Sequence, residues 1–176
     1  MKAQFWSFDI IFAMVIFMFT LVILSFVWYN IGNQLTTASS LGGTLAQLQL
    51  QTLSNILMSP GTPTDWESWV NATNTLTWNN VSIGLGTGMG NSISPSKVAT
   101  LMAMSNYNYQ DSKSALGVSY NYYITISSQN MHITLGRNPQ FGNPTSVQVE
   151  SQSVFINGEP ANMQVLLWTN TTFGIG

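Results

Sequence analysis

The chain begins with a long apolar stretch that contains no charged residue. From Ile10 to Ile31 every residue is apolar or uncharged, and after Asp9 the next charged residue is Asp65. A run of this length is enough to cross a bilayer as a helix. We therefore predict that the protein is exported and inserted in a membrane through its first helix.

The apolar stretch continues into an amphipathic pattern without a break signal. Mostly apolar residues recur at steps of three and four, as on one face of a helix: Ile31, Leu35, Ala38, Leu41, Leu45, Leu48, Thr52 and Ile56. Ser59-Pro60-Gly61 ends this pattern, because proline and glycine interrupt helices. The sequence thus predicts one helix from about Phe5 to about Met58, with Gly42-Gly43 as its weakest point.

Two common interpretations of an N-terminal apolar stretch are a cleaved secretory signal and a permanent anchor. A secretory signal has an apolar core of roughly 7–15 residues with a small-residue cleavage site behind it. Here the apolar run is longer, and the best such site, around Ala38 to Ser40, lies several residues beyond it. The length fits a permanent single-span anchor well, so this interpretation stays open.

The C-terminal part of the chain alternates with a period of two, which predicts β-strands. The predicted strands lie at Tyr120–Ile126, Met131–Leu135, Ser146–Ile156 and Met163–Trp168. A slip in the third strand is expected after Val149, because the next apolar residues are Val154 and Ile156. Asn157-Gly158 is a strong hairpin signal. Antiparallel strands that pack on the back half of the first helix give an α+β head.

Two short helices and a glycine-rich segment precede the strands. Ser94 is the predicted N-cap of the first helix, with Pro95 at the first helical position. The apolar face of this helix is predicted to contain Val98, Leu101 and Met102. A second helix is predicted from Tyr107 to Leu116. Gly84–Gly90 lacks the glycine spacing of a phosphate-binding loop, so we predict a flexible surface loop there.

Charge and composition exclude several classes of function. Charged residues make up 6% of the chain, the net charge is −2, and the four basic residues form no run, so nucleic-acid binding is not expected. The absence of cysteine excludes disulfides, zinc thiolate sites and cysteine catalysis. His132 lies alone in a predicted strand, and Asp65 and Glu67 are the one close pair of carboxylates. We predict a protein that is not an enzyme and uses no metal or cofactor.

Three Asn-x-Ser/Thr sequons follow the long helix, at Asn71, Asn80 and Asn170. Such sequons are acceptor sites for N-linked glycans on the surface of exported proteins. We therefore predict a glycoprotein whose head is exposed and carries glycans at these three asparagines.

The N-terminus resembles that of archaeal type IV pilins and flagellins. In that family a prepilin peptidase cuts a short basic leader, ending in Gly or Ala, in front of the apolar helix. Met1-Lys2-Ala3 followed by Gln4 is similar to such a leader, with the cut between Ala3 and Gln4. The acidic residue familiar at the fifth mature position is replaced by Phe8, and Asp9 follows one place later.

Short motifs farther along the chain carry a resemblance to archaeal pilin-like surface proteins. They are the Ser-Pro-Gly-x-Pro end of the long helix, a following tryptophan, an Ile-Gly-Leu segment and the start of a later helix: Ser59–Pro63, Trp66, Ile83–Leu85 and Ile93–Val98. In outline the resemblance covers most of the chain.

The resemblance implies a structural subunit of an extracellular archaeal type IV pilus-like filament, used for adhesion or surface attachment. The chain would polymerise with copies of itself after a membrane-inserted stage, with a prepilin peptidase and the pilus assembly machinery as further partners. Residues 1–58 would form the leader-like segment and the long helix, and residues 59–176 the globular head. The helix residues of the filament core would include Ile10, Phe12, Val15, Phe19, Leu24 and Trp28.

Asp9 has two interpretations. A carboxylate at the start of a helix interacts favourably with the positive end of the helix dipole. The resemblance further implies that Asp9 guides docking by attracting the α-amine of a neighbouring subunit. The alternative function is a permanently membrane-anchored cell-surface binding protein with one N-terminal span, in which Asp9 lies at the lipid surface without a partner.

Overall fold

The first helix, α1, runs from Gln4 to Met58, as the hydrophobic pattern predicts. The computed structural model describes residues 4–171, and for residues 4–8, 30 and 32–41 it describes the backbone alone. The chain divides into two compact units between Leu41 and Gly42. The first unit contains the N-terminal part of α1. The second contains the C-terminal part of α1 together with the sheet and the shorter helices.

Within the described residues, the second unit is an α+β domain with one five-stranded sheet. The strands are β1 (Ser92–Ile93), β2 (Asn121–Ser127), β3 (His132–Gly136), β4 (Ser146–Ile156) and β5 (Glu159–Thr169). Their order across the sheet is β1-β4-β5-β2-β3. The sheet is mixed, because β1 pairs with β4 in parallel while the other neighbours are antiparallel. The sequence predicts antiparallel strands only, since the two residues of β1 are too few to show an alternation.

Three short helices and two 3-10 turns complete the second unit in its described part. They are α2 (Trp66–Trp69), α3 (Pro95–Tyr107), α4 (Tyr109–Ala115) and the 3-10 turns Thr75–Asn80 and Pro139–Phe141. The second predicted helix begins later than expected because α3 extends to Tyr107. Asn108 then caps α4, since its Oδ1 accepts a hydrogen bond from the backbone N–H of Asp111 at 3.1 Å.

Strands β4 and β5 form the predicted hairpin around Asn157-Gly158. Both turn residues have positive φ, 53° and 81°, as a two-residue type I′ turn requires. The pairing keeps one register from Ser146 opposite Thr169 to Ile156 opposite Glu159. The hairpin prediction is therefore confirmed, and the turn accounts for the register.

The predicted slip in β4 is wrong, because the alternation is continuous along the strand. Val154 and Ile156 are buried in the core. Val147 and Val149 lie on the opposite face, with 41% and 52% of their surface exposed. The inward positions nearer the start of the strand hold half-buried polar residues, which conceal the alternation in the sequence: Gln148, Glu150 and Gln152.

The core of the second unit combines the C-terminal part of α1 with the inner face of the sheet. Leu50, Leu53 and Leu57 of α1 are almost fully buried, at steps of three and four. They belong to the same cluster as alternate residues of β2 and β5: Tyr122, Ile124, Ile126, Met163, Val165 and Leu167. The predicted face of α1 is wrong in this part of the helix, because Leu45 and Leu48 are 57% and 54% exposed and the buried stripe lies on a neighbouring face.

Helix α3 begins after Ser94 with Pro95 at its first turn, as predicted. Its buried apolar residues are Val98, Leu101 and Met104. The prediction that Met102 belongs to this face is wrong, since Met102 is 37% exposed. A step of three from Leu101 reaches Met104, which keeps the buried positions on one stripe of the helix.

The prediction of a flexible surface loop at Gly84–Gly90 is wrong for its first half. Gly84, Leu85 and Gly86 are buried, and only the following residues are exposed. The backbone N–H of Leu85 donates to Leu57 O at 2.7 Å, and that of Gly86 donates to Ser59 O at 2.8 Å. These bonds satisfy carbonyl groups that the end of α1 leaves without an intrahelical donor.

Glycine is required here because two backbones lie in direct contact. A Cβ atom on Gly86 would overlap the carbonyl oxygen of Met58, and one on Gly84 would overlap that of Ser59. Lys97 holds the same segments together from α3. It is 4% exposed, and its ammonium group donates to Pro60 O at 2.6 Å and to Gly86 O at 3.1 Å.

Candidate assembly surface

The most exposed apolar surface in the described residues is the N-terminal part of α1. The segment Asp9–Tyr29 of α1 is long and apolar enough to span a membrane, with 21 residues and a mean hydropathy of 3.0. Its large apolar side chains are exposed on every side, from 42% for Leu21 to 78% for Trp28. A helix that is apolar all round is stable when lipid or other protein covers it.

The six residues predicted for the filament core all belong to this exposed surface. Their exposed fractions are Ile10 65%, Phe12 70%, Val15 60%, Phe19 68%, Leu24 60% and Trp28 78%. Full burial of one such side chain is favourable by about 1.5–3 kcal/mol. Covering the segment therefore provides a large driving force for insertion in lipid or for association, and its role in a filament core stays a prediction.

Asp9 lies in the second turn of α1 as described, and its side chain is exposed. The first turn of the described helix, which begins at Gln4, contains no acidic residue. The helix-dipole effect is largest in the first turn. The expected dipole contribution of Asp9 is therefore reduced, while its role in subunit docking stays a prediction.

The leader prediction concerns residues at the limit of the description. Ala3 lies outside the described residues, and only the backbone of Gln4 is described, as the start of α1. Cleavage between Ala3 and Gln4 therefore stays a prediction.

The three sequon asparagines are exposed. At Asn71 the side-chain Oδ1 accepts hydrogen bonds from the backbone N–H of Thr73 at 3.0 Å and from its hydroxyl at 2.8 Å. Glycosylation of Asn71, Asn80 and Asn170 stays a prediction.

The carboxylates and the histidine considered for catalysis or metal binding do not lie together in the described residues. Asp65 Oδ2 accepts from Trp69 Nε1 at 3.3 Å, whereas Glu67 Oε1 accepts from Ser96 at 3.0 Å. His132 Nδ1 is 2.8 Å from the hydroxyl of Ser127 across the sheet. No group of three or more His, Asp or Glu that could hold a metal ion occurs among the residues described.

A cluster of aromatic and basic side chains joins α4 to the end of β3. The rings of Tyr109 and Tyr122 stack with centroids 5.1 Å apart. The Cζ atom of Arg137 lies 4.9 Å from the centre of the Tyr109 ring. Lys113 follows Tyr109 by one turn of α4, near enough for the charge of Arg137 to act on it. Sequence spacing did not predict this cluster, because 24 positions separate Lys113 from Arg137.

The cluster alters the acidity of three groups. Burial raises the pKa of Tyr109 to about 12, and it also raises the pKa of Tyr122. Burial, and next the nearby charge of Arg137, lower the pKa of Lys113. The phenol of Tyr109 is held by the backbone N–H of Tyr122, which donates to its oxygen at 2.8 Å.

Tyr109 and Lys113 are expected to contribute pH dependences of opposite sign to the stability of the fold around pH 10. The neutral Tyr109 phenol, with its raised folded pKa, stabilises the fold below its ordinary pKa of 10.0, and this contribution is lost as the pH rises to about 12. Lys113 acts in the opposite sense, because its pKa is lower in the folded protein than in the unfolded chain. Its contribution to the free energy of unfolding is therefore lost as the pH falls below 10.5. Urea unfolding from about pH 8 to about pH 12 measures both limbs. Tyr109→Phe should flatten the alkaline limb; an equally steep limb in this variant would contradict the assignment.

The fold and the exposed helix define a class of protein in broad terms only. The chain has a helical segment that can cross a membrane, and an α+β domain follows it. Helix α1 contributes to both parts. No protein family, curated protein or solved structure matches the chain.

Proposed function

We propose that this protein is the structural subunit of an extracellular archaeal type IV pilus-like filament, used for adhesion or surface attachment. The observation that carries the proposal is the uncharged run Ile10–Tyr29 of the segment Asp9–Tyr29, whose apolar side chains are all exposed in the single chain. The same helix continues to Met58 and contributes Leu50, Leu53 and Leu57 to the core of the second unit. One helix thus offers an apolar surface for association and is built into a folded head.

The absence of charge along the segment suits the interior of a polymer. Burying a charged group without a partner is costly, whereas neutral apolar helices pack together without that cost. Head-to-tail contacts whose rotation does not close produce helical filaments. Copies of this chain that bury their apolar segments together would form such a polymer with themselves as partners.

The proposal includes the steps before assembly. The segment Asp9–Tyr29 lies in the membrane first, a prepilin peptidase cuts after Ala3, and the assembly machinery transfers the subunit to the filament. Asp9 guides docking by attracting the new α-amine of a neighbouring copy. Glycans on the exposed asparagines of the head cover the outer surface of the filament.

The alternative is a permanently membrane-anchored surface protein whose head binds a partner. The same apolar segment supports it, because lipid alone covers such a helix. The two functions differ in how the N-terminus is processed, since an anchor requires no cut in front of its span.

The mature N-terminus distinguishes the two functions. We expect peptide mass spectrometry of the protein from its native cell surface to find a chain that begins at Gln4. An intact Met1 would support the permanent anchor instead. The same spectra report the occupancy of the predicted sequons, and three bare asparagines would remove the glycan part of the proposal.

A further inference from the structure

Three basic residues occur in the described part of the second unit, and they differ in whether their side chains have hydrogen-bond acceptors. The buried ammonium of Lys97 donates to two backbone carbonyl groups. Lys113 and Arg137 have neither a side-chain acceptor within 3.5 Å nor a carboxylate within 4.0 Å among the described residues. Asp111, the acidic residue on the same helix as Lys113, accepts instead from the side-chain amide of Asn108 at 2.8 Å.

The backbone of Arg137 is fixed on both sides. Its N–H donates to Tyr122 O at 3.0 Å, and its carbonyl oxygen accepts from Trp168 Nε1 at 2.8 Å. Its guanidinium group lies over the ring of Tyr109, which is itself stacked on Tyr122. Stacking covers the flat face of a guanidinium and leaves its N–H edges free to donate in the plane. The position of the group is therefore set before any ligand arrives.

Lys113 places a second cation beside this guanidinium. It follows Tyr109 by four positions, which puts the two side chains on one face of α4. Mutual repulsion and partial burial make this arrangement unfavourable unless an anion compensates it. A pair of cations with free donors and no acidic neighbour is the arrangement that binds a carboxylate or sulfate group.

We propose that Lys113 and Arg137 form a binding site for an oxyanion group carried by an acidic sugar. The guanidinium edge would hold two oxygens of the carboxylate or sulfate, and the ammonium of Lys113 would bind from the side. The site is independent of the proposed function, because a filament subunit and an anchored protein would both present it on the head.

The segment after Arg137 favours a sugar as the carrier of the oxyanion. It contains side-chain amides at Asn138 and Gln140 and an exposed aromatic ring at Phe141, which is 88% accessible. Amides donate to and accept from sugar hydroxyl groups, and an exposed ring can cover an apolar sugar face. An acidic side chain from a second copy would use the two cations but would need neither of these features.

Calorimetry on the full-length chain in non-ionic detergent tests the site. The probes are a glucuronate-containing oligosaccharide, a neutral glucose oligosaccharide of equal length, and inorganic sulfate. We expect the acidic oligosaccharide to bind at least about tenfold more tightly than either of the others. Arg137→Gln and Lys113→Gln should each weaken its binding about tenfold, because each removes a charged hydrogen-bond donor. Arg137→Lys, which keeps the charge but loses the planar fork, should bind with intermediate affinity.

Glu159→Gln is the control for a one-unit change of net charge far from the site, and it raises the charge that the other two variants lower. Glu159 starts β5 whereas Trp168, the residue that contacts Arg137, lies at its other end. The two ends are about 30 Å apart at 3.4 Å per residue. Binding by this variant should equal that of the wild type. Circular dichroism confirms that each variant is folded.

A spectroscopic measurement separates direct binding from a structural role. Nuclear magnetic resonance of the Lys113 side chain should show its pKa rising when the acidic oligosaccharide binds. Three results would overturn the proposal: equal affinity of the wild type and Arg137→Lys, sulfate binding as tight as that of the acidic sugar, and a Lys113 pKa that the sugar leaves unchanged. If the Gln variants lose self-association but still bind the sugar, Lys113 and Arg137 instead belong to a contact between copies of the chain.

Discussion

Gly86→Ala is expected to destabilise the head by about 3 kcal/mol. The new methyl group would overlap the carbonyl oxygen of Met58, and overpacking of this kind costs about 1–3 kcal/mol. Moving the backbone away would also weaken the hydrogen bond from Gly86 N to Ser59 O and the one from Lys97 to Gly86 O, each worth about 1 kcal/mol. Urea unfolding followed by tryptophan fluorescence measures the loss, because Trp66 donates to Gly84 O in the same segment.

Gly43→Ala is the matched control for this substitution. Gly43 lies within α1, and a Cβ there would meet no atom within 4 Å. Alanine is favoured over glycine in a helix by about 1 kcal/mol, so this variant should be slightly more stable than the wild type. Equal stabilities of Gly86→Ala and Gly43→Ala would contradict the close contact between the Gly84–Gly86 segment and the end of α1.

Phe19→Lys is expected to weaken membrane insertion and to prevent filament formation. Phe19 is 68% exposed near the middle of the apolar segment Asp9–Tyr29. A lysine at the centre of a membrane helix costs about 2.5–3.5 kcal/mol, which lowers the equilibrium constant for insertion about a hundredfold. The cost also applies in a filament core, where each copy would add an unpaired charge. Quantitative blotting of membrane and filament fractions measures the loss.

Phe19→Leu keeps the segment apolar and controls for loss of the ring. It should leave the amounts in both fractions within about twofold of the wild type, since leucine is equally compatible with lipid and with packed helices. A normal yield of filaments from Phe19→Lys would show that this segment is not the surface that other copies cover.

The elements that the sequence predicted well depend on local signals. The steps of three and four up to Met58 indicated α1, and the Asn157-Gly158 turn indicated the β4–β5 hairpin. Both signals act through residues close together in the chain, because a helical face and a two-residue turn are local structures. The same local reading identified Ser94 and Pro95 at the start of α3.

The features that the sequence did not predict depend on contacts between distant segments. The glycines at 84 and 86 are typical of a flexible loop until the end of α1 is known to lie against them. The alternation in β4 was concealed because Gln148 and Glu150 point inward. Lys113 and Arg137 become neighbours because Arg137 lies over the ring of Tyr109, which is one turn before Lys113 on α4. No spacing along the chain encodes these contacts, since tertiary packing brings the residues together.

Electron cryomicroscopy of filaments sheared from producing cells tests the central claim most directly. The account predicts helical filaments whose density fits this chain, with Asp9–Tyr29 of neighbouring copies packed along the axis and the β1–β5 sheet on the outside. Cells that lack the chain should lose these filaments. Unchanged filaments in such cells, with the protein found only as membrane-bound monomers, would contradict the account.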